Sequence, residues 1–168
     1  PPPRAYSLPP LDLLDEPGEP AATQEEIREK SRIIESTLAQ FGLPVEVAEV
    51  RVGPAVTQFG LRPGYVERAG TSERKVRVNQ ISSLADDLAL ALAAPRLRVE
   101  APGPGRPIVG IEVPNSQVQV VKLREVIETD VFSKHRGPLR FALGQDVAGE
   151  PVVADLSKMP HLLLSLIH

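Results

Sequence analysis

The chain has no cysteine among its 168 residues, so disulfides and cysteine-ligated metal sites are excluded. Histidine is scarce. His135, His161 and His168 are well separated and never fall at HExxH-type spacing, which argues against a histidine metal centre. Nowhere does an apolar run approach the roughly 18 to 20 residues needed to cross a bilayer. The opening PPPRAYSLPPLDLLDEPGEP also lacks the apolar core of a signal peptide. These absences lead to the expectation of a reducing, cytoplasmic setting without membrane contact.

What is present is ordinary globular material, 42% apolar and 24% charged. The formal charge of -3 is unevenly placed: residues 1–20 carry one basic and four acidic groups, whereas 21–115 and 116–168 are each balanced. Seven of the 18 prolines also fall in those first 20 residues, which read as an extended linker whose LDLL core (Leu11, Leu13, Leu14) is available to dock.

Thr23 and Glu26 make a TxxE capping box, and Ile27, Ile34, Leu38 and Phe41 recur at helical spacing with Ser31 in the same stripe. Gly42 ends that helix in a left-handed cap and Pro44 blocks its resumption. Val45–Val52 alternates as a half-buried strand, with Val56–Leu61 as its antiparallel partner across Gly53-Pro54. Arg62–Glu73 reads as a polar hairpin loop and Lys75–Val78 as the returning strand. Ser82 or Ser83 caps a second helix, LADDLALALAA, with Leu84, Leu88 and Ala91/Leu92 inward, Asp86 and Asp87 in its first turn, and Pro95 as its stop. Strands at Leu97–Ala101 and Ile108–Val113 follow, separated by PGPGRP. The order α-β-β-β-α-β-β predicts a small α+β domain, mainly antiparallel with two helices, over 21–115.

Beyond Pro114-Asn115 the pattern changes. Val118–Val121 leads into one short helix, LREVIETDVF, with Leu123, Val126 and Ile127 inward. LRFALG and PVVADL form a hairpin across QDVAGE, and Leu162–Ile167 reads as a buried strand.

Together these segments resemble the FtsK/SpoIIIE family of DNA translocases. Ile81–Asn115 is similar to the end of that family's alpha domain. VVKLREVIETDVF and Leu139–Leu163, ending in MPHLL, are similar to the opening of its RecA-like motor domain. PGEPAATQEEIREKSRIIESTLAQFGLPVEV fits the junction from linker to motor. The resemblance implies a linker tail at 1–20, an alpha domain at 21–115, and the incomplete, strand-rich start of an α/β motor domain at 116–168. It implies ATP-driven movement of double-stranded DNA through a homohexameric ring in chromosome segregation at division, in full-length proteins tethered to the inner face of the membrane. ATP and magnesium are the cofactors of the whole family. Here Leu164–His168 stand where the family carries GxxxxGK[ST], so the resemblance leads to the expectation of a fragment without cofactor sites or ATPase activity of its own. The segment 139–168 is then expected to be poorly ordered, folded back or aggregation-prone.

No catalytic residue is assigned. Lys158 precedes the terminal strand and reads as a solvated turn residue, His161 as a structural histidine, and Asp146 and Asp155 as turn caps. The candidate DNA-contacting cluster is Arg62, Arg68, Arg74, Lys75 and Arg77, offset by Glu67 and Glu73, with Tyr65 as its sole aromatic. Arg96, Arg98 and Arg106 either meet a neighbouring subunit or decorate a strand face. The reading from another class is a non-catalytic α+β scaffold or protein-interaction module.

Overall fold

A computed structural model of the chain describes residues 8–68, 71–100 and 107–165, with the side chains of 67, 68 and 71–73 left outside the description. Ala101, most of the PGPGRP turn with Arg106, and residues 166–168 therefore lie outside the described residues. The chain divides into two compact units: Pro20–Gln119 with Val147–Glu150, and Pro1–Glu19 with Val120–Asp146 and Pro151–His168.

The first unit is α+β. Helix α1 spans Gln24–Gln40, and the Thr23 hydroxyl accepts the Glu26 N–H at 3.2 Å. Only that half of the expected capping box forms as read. Glu26 instead turns its carboxylate to Lys30 Nζ at 2.7 Å and to the Ser116 hydroxyl. The helix ends in a Schellman motif: Leu43 N–H donates to Leu38 O, Gly42 N–H donates to Ala39 O (both 2.9 Å), and Gly42 has φ +72°. Leu38 and Leu43, the apolar pair that accompanies this cap, are both buried. Phe41, expected on the inward stripe, is the C-cap residue and is half exposed, because the cap rotates it off the buried face.

Strand β1 (Val45–Val52) pairs antiparallel with β2 (Val56–Pro63). Valines stand at 45 and 47, then at 50 and 52, so strict alternation fails at Ala48. A bulge between Val47 and Glu49 absorbs the extra residue, and Val45, Val47 and Val50 all pack on the core. Glu35 of α1 accepts the Val47 N–H at 2.7 Å beside that bulge.

The segment expected to be a loop is a hairpin of its own, β3 (Tyr65–Arg68) with β4 (Thr71–Lys75). Tyr65 and Val66 favour extended backbone, and Val66 packs against the core. The expected strand Lys75–Val78 gives way after Lys75: Val78–Ser82 is a short helix, α2, entered where Arg77 N–H donates to Gln80 Oε1 at 2.9 Å. The single helix expected next is interrupted. Ser82 and Ser83 donate back to Val78 O and Gln80 O rather than capping, and α3 starts only at Ala85, running to Ala91. Of its expected inward residues Leu88 is fully buried, Leu84 and Leu92 pack on the core, and Ala91 is exposed.

Strands β5 (Arg98–Glu100) and β6 (Val109–Pro114) complete a four-stranded antiparallel sheet of order β1-β2-β6-β5. Thr57, Phe59 and Leu61 of β2 and Val109, Ile111 and Val113 of β6 lie on one face, with Ile34, Leu38, Ile81 and Leu88 in the same buried cluster. Each of those large side chains contributes about 1.5–3 kcal/mol on burial.

In the second unit the single helix expected at LREVIETDVF is two, α4 (Leu123–Ile127) and α5 (Asp130–Lys134). Thr129 caps the second through the Phe132 N–H at 3.3 Å. Of the residues expected inward, Val126 is buried and Leu123 is exposed. The hairpin forms as read, β7 (Arg140–Gln145) with β8 (Pro151–Asp155), so 140–155 is a paired segment. The described part of the expected terminal strand, 162–165, joins no ladder, and Leu163 and Leu164 are 90% and 84% exposed. Without a neighbouring strand among the described residues its backbone donors have no register to adopt. Residues 8–19 are not a plain tether: Leu11–Leu13 is a 3-10 turn, and Asp15 and Glu16 pair with Lys122 and Arg124.

Candidate nucleic-acid interface

The β3–β4 hairpin is fixed at its base by backbone. Gly64 N–H donates to Pro44 O at 2.9 Å, Val76 N–H donates to Gly64 O at 3.0 Å, and Val76 is buried. Register then decides which side chains share a face. Tyr65 lies opposite Lys75, and Val66 opposite Arg74. Successive residues point to opposite faces, so Tyr65 and Lys75 form an exposed pair, while Arg74 stands over the face that carries Val66. Arg77, also exposed, follows at the entry to α2.

Of the five cations read from the sequence, three are exposed neighbours at the base of the hairpin: Arg74, Lys75 and Arg77, the first two on opposite faces. None of them has an ion pair among the residues whose side chains are described. Arg62 stands apart, on β2 and in register with Glu46, whose carboxylate it meets at 2.8 Å. That exposed pair adds little stability but occupies the guanidinium. Arg68 is in register with Thr71, and its side chain lies outside the described residues. A cleft of about 330 Å³ lies beside the hairpin, floored by Phe41, Leu43 and Val66 and edged by Arg74, Lys75 and Gln80.

The other charges have plainer roles. Arg98 meets Glu100 at 3.5 Å and the largely buried Glu112 at 3.8 Å, on the polar side of the sheet where Gln58 also bonds Glu112 at 3.0 Å. Arg96 is exposed. Lys30 lowers the Glu26 pKa from its ordinary value, with Ser116 assisting. Asp155 caps the turn Leu156–Lys158 as expected, accepting the Ser157 N–H at 3.0 Å and its hydroxyl at 2.7 Å, which lowers its pKa. Lys158 closes that turn and is exposed. His161, expected to begin a buried strand, is exposed and lies in no strand. Asp146 is exposed in the β7–β8 turn. Among the described residues no group of three or more histidines, aspartates and glutamates is placed to hold a metal. No described helix is long and apolar enough to cross a membrane.

Two arrangements escape sequence reasoning. Buried Asn115 accepts the Thr57 hydroxyl at 2.7 Å and donates to Gly53 O at 2.8 Å, tying the β1–β2 turn to the end of β6. Lys122 and Arg124 meet acids from the leader more than a hundred positions away. The leader's charge imbalance is the only signal of that second arrangement.

Comparison with known proteins bears on the whole chain. Residues 8–115 match the family model described as the FtsK alpha domain. The protein named DNA translocase FtsK from Caldanaerobacter subterraneus is 47% identical over 161 residues, covering 95% of this chain and 21% of that protein. Those of the same name from Bacillus cereus and Staphylococcus epidermidis are 46% and 42% identical, each over 95% of this chain and 19% of the relative. The chain thus spans about a fifth of the length of the curated relatives it matches.

Proposed function

The chain belongs to the FtsK alpha-domain family, and from that premise we propose that it is part of a motor that moves double-stranded DNA in chromosome partition at cell division. The observation that carries this reading is the similarity, 47% over 161 residues, to a protein named as a DNA translocase. In this reading the sheet and its helices build one tier of a six-membered homomeric ring, and the β3–β4 hairpin offers cations to the duplex. Arg74, Lys75 and Arg77 would each displace a counterion from the phosphate backbone, and Tyr65 beside Lys75 adds an apolar surface against sugar or base. Such interactions hold duplex of any sequence, as a translocating machine requires.

ATP and magnesium would drive the motion in the complete motor. The residues of this chain do not fit those groups. They contain no GxxxxGK[ST] loop, and Lys158 lies in a turn ahead of the terminal apolar segment rather than at a helix start. No phosphoryl-transfer step is assigned to them.

A chimera tests the reading. The matching segment of the Caldanaerobacter translocase is replaced by this chain, and ATP-dependent displacement of a third strand from a DNA triplex is measured. Retained displacement supports the proposal. A folded, hexameric chimera that hydrolyses ATP without moving on DNA contradicts it.

A further inference from the structure

Residues 8–19 are exposed almost throughout, Leu14 alone being half-buried, and Leu8 and Leu13 are 86% and 74% exposed. Apolar burial therefore does little to hold this stretch in place. Charge does more. Asp15 Oδ2 meets Lys122 Nζ at 3.0 Å and Glu16 Oε1 meets Arg124 Nη1 at 3.4 Å, while Arg124 Nε is also bound by Glu128 at 2.8 Å. The two acids remain more than 80% exposed and the two bases are mostly covered, at 33% and 22%. The acidic segment is laid over a basic pair rather than packed into a core. It carries four acids, Asp12, Asp15, Glu16 and Glu19, and no base.

We propose that Lys122 and Arg124 form a second binding site for the DNA backbone, masked by residues 8–19 acting as an acidic strap. Carboxylates in the strap take the place that phosphates would occupy, and a duplex displaces them. The geometry favours such exchange because each strap pairing is an exposed, salt-screened ion pair, easily replaced by another anion. Glu128 stays on Arg124 from its own helix and keeps the guanidinium oriented when the strap leaves. Two pairs of ordinary surface strength hold the strap closed by about two- to thirty-fold, and duplex affinity at this site is reduced by that same factor. This inference rests on the DNA reading above but concerns different residues.

The chain's lack of cysteine makes the test direct. Spin labels at Leu13→Cys and Val131→Cys, both exposed positions, report the strap's distance from α5 by pulsed electron paramagnetic resonance. A blunt-ended duplex should lengthen and broaden that distance, and sodium chloride at matched ionic strength should not. Asp15→Asn with Glu16→Gln should open the strap without DNA and tighten duplex binding about two- to thirty-fold. Glu25→Gln with Glu29→Gln, the same change of net charge on α1, should leave the strap closed and tighten binding less than about two-fold. Adding Lys122→Gln and Arg124→Gln should abolish the gain from the strap variant. Duplex bound with the strap distance unchanged overturns the proposal, as does equal tightening by both charge variants. Failure of the opened chain to bind duplex at all overturns it together with the DNA reading. Unchanged duplex binding on neutralising Arg74, Lys75 and Arg77, with the strap still responding to duplex, counts against the hairpin interface alone.

Discussion

Replacing Asn115 by alanine removes a buried polar clasp, and the consequence can be worked from the geometry. The side chain makes two bonds, accepting from Thr57 Oγ1 at 2.7 Å and donating to Gly53 O at 2.8 Å. Thr57 is 1% exposed and Asn115 9%. The Asn115 backbone N–H, which donates to Ala55 O at 3.0 Å, is untouched by the substitution. Two neutral bonds contribute at least about 0.5 kcal/mol each, and a buried hydroxyl left without a partner costs about 1–3 kcal/mol more. Asn115→Ala should therefore destabilise the first unit by about 2–4 kcal/mol. Thr57→Val keeps the shape and removes the orphan hydroxyl, so the double variant should lose about 1 kcal/mol less than the sum of the single losses. Native-state amide exchange at Phe59 and Ile111, central residues of β2 and β6, reads this unit specifically. Their exchange should quicken about 30- to 1,000-fold in Asn115→Ala. A loss below about 0.5 kcal/mol, or strict additivity in the double variant, would refute the clasp.

Two further perturbations bear on the second unit. At Gly137 an added Cβ would lie 2.4 Å from Asp155 Oδ2 and 2.5 Å from its Cγ, so Gly137→Ala should destabilise the β7–β8 hairpin by about 1–3 kcal/mol, measured as faster amide exchange at Phe141 and Ala154. Ser157 supplies the bonds that hold the Asp155 pKa below its ordinary value. A depressed folded pKa stabilises above the unfolded value of about 3.9 and is lost as pH falls through the folded value. Ser157→Ala should therefore raise the Asp155 carboxyl in an NMR titration and start acid unfolding of this unit at higher pH; an unmoved titration would show that Ser157 is not the cause.

Helix α1 is legible in the sequence almost to the residue, because its cap, its periodic stripe and its terminal glycine are local signals. The exception is Phe41, since apolar spacing alone does not show that a Schellman cap rotates the last residue outward. The bulge in β1 is written in VEVAEVRV, where the valines change parity at Ala48, yet reading it requires knowing which face is buried. The β3–β4 hairpin reads as a loop because its charges outweigh Tyr65 and Val66, and the packing of Val66 on the core is not a local signal. The break between α2 and α3 likewise hides in ISSLADD, where serines that resemble caps bond backwards instead. At the candidate interface, sequence proximity gathers five cations, but strand register places Arg62 against Glu46 and sends Arg74 and Lys75 to opposite faces of the hairpin. Pairings that span a hundred residues, such as Asp15 with Lys122, leave no local pattern at all.

The central claim, that the hairpin cations engage duplex DNA, is tested most directly by the salt dependence of binding. Fluorescence anisotropy of a labelled duplex is measured across a salt series for the unaltered chain and for Arg74→Gln, Lys75→Gln, Arg77→Gln combined. Withdrawing three cations from the phosphate backbone should flatten the slope of log K against log salt by about 2.7 and weaken binding to all sequences alike. Identical slopes for the two chains, or binding by the unaltered chain that ignores salt, would contradict the account.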